Sequence, residues 1–242
     1  MTYHRSLYFL EMGMLLPFFP LLYWKGKKLR KQVVKLPPMS ERLSLTASNA
    51  SEKNLLILGE SSAAGVGASS ESHTFAGRLF ECAEEKCNIL NLGKNGLRAA
   101  NLLKLLDKNA DALVPSYDGL VLLIGANDCF KFTPPEKFAH QIQDSIDQLR
   151  KRFNIQKVWI CTIPPVNQFP AIPALLQFFL CIHRELLSAE LQKISKNDPN
   201  ISFEHNRDVF SRDFFASDGI HPSDIGYQAM AKLTWERVSV EW

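Results

Sequence analysis

The chain has 242 residues, 46% of them hydrophobic and 22% charged, with a formal net charge of +3; that suits one α/β domain of about 200 residues plus an appendage. The charge is unevenly placed, because Lys25, Lys27, Lys28, Arg30, Lys31 and Lys35 form a run without an acid, Arg5 and Glu11 balance residues 1–24, and residues 36–242 are left at −3. A mildly acidic body excludes nucleic acid as the main partner, which demands a basic face on the folded domain.

The N-terminal appendage comes first. Leu7 to Trp24 holds eighteen residues with one charge, Glu11. As a helix it reaches about 27 Å, just short of a hydrocarbon core of about 30 Å, and Pro17 and Pro20 are expected to kink it. A secretory signal peptide fits poorly, since the positive charge follows the apolar run and no A-x-A site is present. Four readings stand: an exported protein, a membrane anchor, an interfacial segment, and a segment packed on its own domain. Residues 7–35 are read as membrane-associating. The positive-inside rule then leaves the body on the cytoplasmic side of the inner membrane. Residues 1–35 are thus set apart from a polar, proline-marked linker over 36–52, and the folded domain is expected over 53–242.

Within that domain, apolar strand candidates recur at Asn54–Gly59, Asn88–Leu92, Gly119–Gly125, Lys157–Ile163 and Ile201–Glu204. Helical periodicity fills the stretches between. Phe138, Ile142, Ile146, Leu149 and Phe153 step by three or four residues along one helix face. A second helix is expected from about Arg98 to Ala110, and a last one from Pro222 to about Val238, opened by proline and serine. Alternating strands and helices with right-handed crossovers give a five-stranded, doubly wound parallel sheet.

Four loops carry unusual polar or glycine content: Gly59 to Gly65, Asn91 to Gly96, Gly125 to Asp128, and Ser217 to Pro222. Three follow strands and the fourth leads into the last helix. In a parallel sheet such loops converge on one edge, where ligands bind. Their order reads Gly-Glu-Ser-x-x-x-Gly, Asn-x-Gly-x-x-Gly, Gly-x-Asn-Asp and Asp-x-x-His.

That order resembles the GDSL (SGNH) hydrolases over essentially all of residues 54–235. The apolar tail with its basic run and prolines looks like a bacterial subgroup of that family. The resemblance implies a flavodoxin-like three-layer α/β/α sandwich and ester hydrolysis. It puts the nucleophile on Ser61, the oxyanion-hole glycine on Gly96, the family's asparagine on Asn127, and the acid and base on Asp218 and His221. One letter departs from the pattern: Glu60 stands where the family usually has aspartate, which bears on the geometry of the first loop.

The chemistry of these residues agrees. A serine hydroxyl needs an adjacent base, and a histidine ordinarily titrates near pH 6.5. Asp218, three residues before His221, can hold one imidazole nitrogen and leave the other for Ser61. The N–H groups of Ser61 and Gly96 and the Asn127 amide are the candidate oxyanion donors. Asp128 is read as a loop anchor, Ser62 as a turn residue, and His183 and His205 carry no assigned role. The reading is a serine esterase cleaving carboxylic esters or thioesters through an acyl-enzyme on Ser61. The alternatives are a carbohydrate O-acetyl esterase and a catalytically silent, membrane-tethered binding module. The apolar stretch Pro164 to Cys181 is either a wall of an acyl pocket or a core helix with its loop.

No cofactor or metal is called for. The six histidines show no paired ligand spacing, the first loop lacks the lysine of a phosphate-binding loop, and the five cysteines, an odd number without CxxC, read as core residues rather than a disulfide framework.

Overall fold

The computed structural model describes residues 3–48, 53–203 and 205–241. Its centre is a six-stranded sheet ordered β1-β3-β2-β4-β5-β6. The strands are β1 (Arg42–Leu45), β2 (Asn54–Gly59), β3 (Asn88–Gly93), β4 (Gly119–Leu123), β5 (Lys157–Ile160) and β6 (Ile201–Phe203). β2 to β6 run parallel in the doubly wound order, and β2 lies in the middle between β3 and β4.

The middle strand shows why its sequence is uniformly apolar. Leu55, Leu56, Ile57 and Leu58 are all fully buried, because a parallel sheet is covered on both faces. Leu56 and Leu58 point to one core with α4 (Leu102–Lys108), α6 (Pro135–Phe153) and α7 (Ala174–Asn197). Leu55 and Ile57 point to the other, with α3 (Phe75–Cys82) and α8 (Asp224–Glu241). All five apolar residues expected on the α6 stripe are buried. Asn154, in the left-handed conformation at φ 51°, ends that helix. Cys87, Cys129 and Cys161 are buried in the cores, and all five cysteines are free.

Two expectations need correction. The sheet has a sixth strand, β1, antiparallel to β3 and inside the stretch expected to be linker. Its polar–apolar alternation, Arg42-Leu43-Ser44-Leu45, is the mark of a half-covered edge strand; Leu43 and Leu45 pack on the second core while Arg42 and Ser44 are exposed. Residues 49–52 of that stretch, and Glu204 at the end of the fifth strand candidate, lie outside the described residues. The strands β4 and β5 also stop two to three residues early. After β4 the chain turns at Gly125 into the short α5 (Ala126–Phe130), and after β5 it meets Pro164-Pro165, which have no N–H to pair.

The appendage forms α1 (Tyr3–Leu15) and α2 (Phe19–Gln32), broken at Leu16–Phe18 where Pro17 and Pro20 interrupt the helix. One face packs on the domain. Leu15 and Leu22 bury against Phe179 of α7, and the fully buried Glu11 meets His183 Nδ1 at 2.9 Å. The opposite face leaves Phe9, Leu10, Leu16, Phe19, Tyr23 and Trp24 exposed. Arg5–Leu29 is long and apolar enough to cross a membrane.

Candidate active site

Glu60 to Val66 form a tight turn after β2, closed by Ala64 N–H to Glu60 O and Val66 N–H to Ser61 O. The turn is held from below. Asn91 of β3 donates to Ala63 O at 2.9 Å, and so does the Ser40 hydroxyl. It is held from the side by the start of α8: Tyr227 donates to Val66 O at 2.7 Å, and Ser69 bonds Asp224 through its N–H and its hydroxyl. Gly67 makes that contact possible, since its φ is +99° and a Cβ there would lie 2.4 Å from Pro222 O. These ties bring the serine turn against the loop that carries His221.

The His221 loop folds back on itself, with Ala216 N–H to His221 O at 2.8 Å and Gly219 N–H to Ala216 O at 2.9 Å. Asp218 sits inside it. One carboxylate oxygen accepts the N–H groups of Ile220 at 2.9 Å and His221 at 3.0 Å, and the other meets His221 Nδ1 at 2.6 Å. Burial works against ionisation of Asp218, but its bonds from the His221 imidazole and the two N–H groups outweigh it, so its pKa lies below the usual carboxylate value. An imidazole held this way at Nδ1 is set to exchange a proton at Nε2. Among the described residues no hydrogen bond joins His221 to Ser61.

Asn127, on α5, is placed by Glu60. The Glu60 carboxylate is buried and accepts three bonds: Ala126 N–H at 2.9 Å, Asn127 N–H at 3.0 Å and the Asn127 side-chain amide at 2.6 Å. Burial raises its pKa to about 7, against the opposing pull of those three donors. Asp128 anchors its surroundings as expected, accepting Ala99 N–H at 2.9 Å and the Thr133 hydroxyl at 2.8 Å, which ties the chain just after the second loop to the third. Gly96 stands on the exposed turn of that second loop with φ +77° and open space around a would-be Cβ.

A cavity of about 890 Å³ gathers these groups. Ser61, Asn127, Asp218 and His221 all line it. Gly96 is one residue off, and its neighbour Asn95 is the member of that turn on the wall. The volume lies in the range of pockets that enclose a drug-sized ligand. Across residues 57–229 the sequence matches the GDSL-like Lipase/Acylhydrolase family.

The chain belongs to that family. It is a hydrolase acting on ester bonds. No match is found among curated proteins, but solved structures share the fold. A carbohydrate acetylesterase from Sinorhizobium meliloti is 16% identical with a TM-score of 0.64, over 79% of this chain and 100% of that one. A psychrotrophic esterase from Pseudoalteromonas is 16% identical with a TM-score of 0.59, over 79% and 98%. A putative GDSL-like lipase from Bacteroides ovatus is 18% identical with a TM-score of 0.58, over 80% of this chain, which spans only 54% of that protein.

Three features of this GDSL domain were not evident from its motifs. Glu60 braces Asn127, although the motif marks its position only as a variant of aspartate. Arg184 on α7 is almost wholly buried, and donates to Ile163 O at 2.9 Å and Asn206 O at 2.8 Å, pinning the chain after β5 and β6. Ser62, expected only to turn the chain, is buried on the cavity wall, and among the described residues its hydroxyl meets no partner. The apolar stretch from Pro164 serves both its readings: Pro165, Phe169, Ile172 and Leu176 line the cavity, Phe169 and Ile172 also pack in the larger core, and Phe179 and Leu180 belong to the cores alone.

Proposed function

We propose that the protein is a serine esterase whose acyl-enzyme forms on Ser61. The observation that carries this reading is the Asp218–His221 pair at 2.6 Å in the one cavity that Ser61 also lines. His221 Nε2 takes the Ser61 hydroxyl proton as Oγ bonds to the acyl carbon. The carbonyl oxygen becomes an oxyanion held by the Asn127 amide and the N–H groups of Ser61 and Gly96. Collapse breaks the bond to the alcohol oxygen, or to sulfur in a thioester, and His221 returns the proton to that leaving group. Water, deprotonated by His221, then adds to the acyl carbon and releases the acid, restoring Ser61.

The mainly apolar wall supports acyl groups longer than acetyl. Two structures of this fold from Sinorhizobium meliloti are a carbohydrate acetylesterase and a member of the carbohydrate acetylesterase family, so acetyl esters of sugars are the rival substrate. Kinetics on p-nitrophenyl esters from acetyl to dodecanoyl test both readings. Turnover abolished in Ser61→Ala is expected; turnover surviving that substitution sinks the mechanism, and a sharp acetyl optimum favours the rival.

The outward face of α1 and α2 supports membrane association. Its exposed aromatic and aliphatic residues end at Tyr23 and Trp24, immediately before Lys25, Lys27, Lys28 and Lys31, the sequence of an apolar face and a cationic collar that suits anionic lipid. The body then lies on the cytoplasmic side of the inner membrane. Fractionation of cells producing the full chain, with protease added to intact spheroplasts, checks this. A fully soluble protein refutes the association, and cleavage of the body from outside refutes its orientation.

A further inference from the structure

The cavity is not built by the catalytic domain alone. Gly26 and Leu29 of α2, and Val33, Val34 and Leu36 just after it, line it together with Ser61 and His221. Leu29 packs against the larger core. Leu176 belongs to both neighbourhoods, lining the cavity and packing on the cluster of Leu15, Leu22 and Phe179 that seats the N-terminal helices. The apolar contacts therefore run without a break from those helices to the catalytic pocket.

Gly26 is the informative residue. It lies inside α2, where glycine is destabilising relative to alanine. No close packing requires it, because a Cβ at Gly26 would meet nothing within 4 Å. Gly26 lines the cavity, and the space beside it is open.

We propose that the N-terminal segment is part of the substrate site, with Gly26 and Leu29 of α2 walling the acyl cavity and setting the length of chain that Ser61 can accept. The segment thus has two faces with different work: one turned outward and apolar, the other closing the pocket. This role rests on the esterase reading and adds to it a specificity determinant outside the residues that match the family.

The test uses the full chain and the ratio of kcat/KM on p-nitrophenyl octanoate to that on p-nitrophenyl acetate. Gly26→Leu introduces a side chain into open space and favours the helix, so it is expected to fold. It should lower the ratio by about tenfold, the scale of one or two methylenes gained or lost in an apolar pocket. Leu29→Ala should move the optimum the other way, toward longer chains. Opposite shifts are not produced by general damage to the protein. A ratio within twofold of wild type in Gly26→Leu, or shifts of both variants in one direction, overturns the proposal while leaving the esterase reading intact. Failure of the wild type on every ester would instead remove the esterase reading beneath it.

Discussion

Glu60 accepts the side-chain amide of Asn127 at 2.6 Å while also accepting that residue's own backbone N–H at 3.0 Å. The two bonds lock the amide rotamer, leaving the second amide hydrogen for whatever develops negative charge in the cavity. Asn127→Ala is expected to lower kcat by about 10²–10³, the usual effect of losing one oxyanion donor. Glu60→Gln places an amide among three donors that need an acceptor and should lower kcat by about tenfold or more. Because Glu60 acts through Asn127, the double variant should be no slower than Asn127→Ala alone. Additive losses would show that Glu60 acts by another route.

The same carboxyl makes stability depend on pH. Its pKa is about 7 in the folded protein, against an ordinary 4.5. Between those values the folded protein keeps a proton that the unfolded chain has released, so raising the pH through that window favours unfolding. Above about pH 7 both states are ionised and the penalty is constant, at roughly 3 kcal/mol for a shift of this size. Urea unfolding at pH 5 and pH 8 should show most of this loss in the wild type and much less of it in Glu60→Gln. Equal pH dependence in the two proteins would assign the loss elsewhere.

Asp218 has the opposite sign. Its pKa lies below the usual carboxylate value, so it stays ionised throughout pH 5–9 and gives no inflection in that range. Its contribution to stability is present above the unfolded value and lost only as the pH falls through the lower folded one. Asp218→Asn leaves the loop's shape but removes the acceptor that selects the His221 tautomer, and kcat should fall about 10³–10⁴. A loss below tenfold would mean that His221 is oriented without it.

The fold was legible because buried parallel strands are written as continuous apolar runs. Leu55 to Leu58 and the α6 stripe from Phe138 to Phe153 admit few other readings. The site was legible because its residue types come in order on loops that the sheet must gather at one edge. What was hidden depends on contacts between distant segments. The alternation of Arg42 to Leu45 spans only four residues, and its antiparallel pairing with β3 at the sheet edge appears only when the two segments meet. The role of Glu60 appears only when α5 is laid against it, 66 and 67 residues later in the chain. Gly26 looks like an unremarkable interruption of a basic run until the cavity beside it is seen. The partner of Glu11, the one charge in an apolar stretch, is 172 positions away and has no local signal.

That partner is His183, which meets the Glu11 carboxylate through Nδ1 at 2.9 Å and Thr133 O through Nε2 at 3.1 Å. Both side chains are fully buried, so the bond seats α1 on α7 next to the residue whose hydroxyl Asp128 accepts. Glu11→Ala leaves a buried imidazole nitrogen without its partner and should destabilise the protein by about 1–3 kcal/mol. Replacing both members, as Glu11→Leu with His183→Leu, removes the unpaired group and should recover much of that loss. Urea unfolding of the full chain separates these outcomes. A single variant as stable as wild type would mean that the apolar contacts of Leu15 and Leu22 hold the segment unaided. A double variant no better than the single would mean that Thr133 O depends on the imidazole for its own satisfaction, and that the pair supports the Asp128 loop as well as the helix.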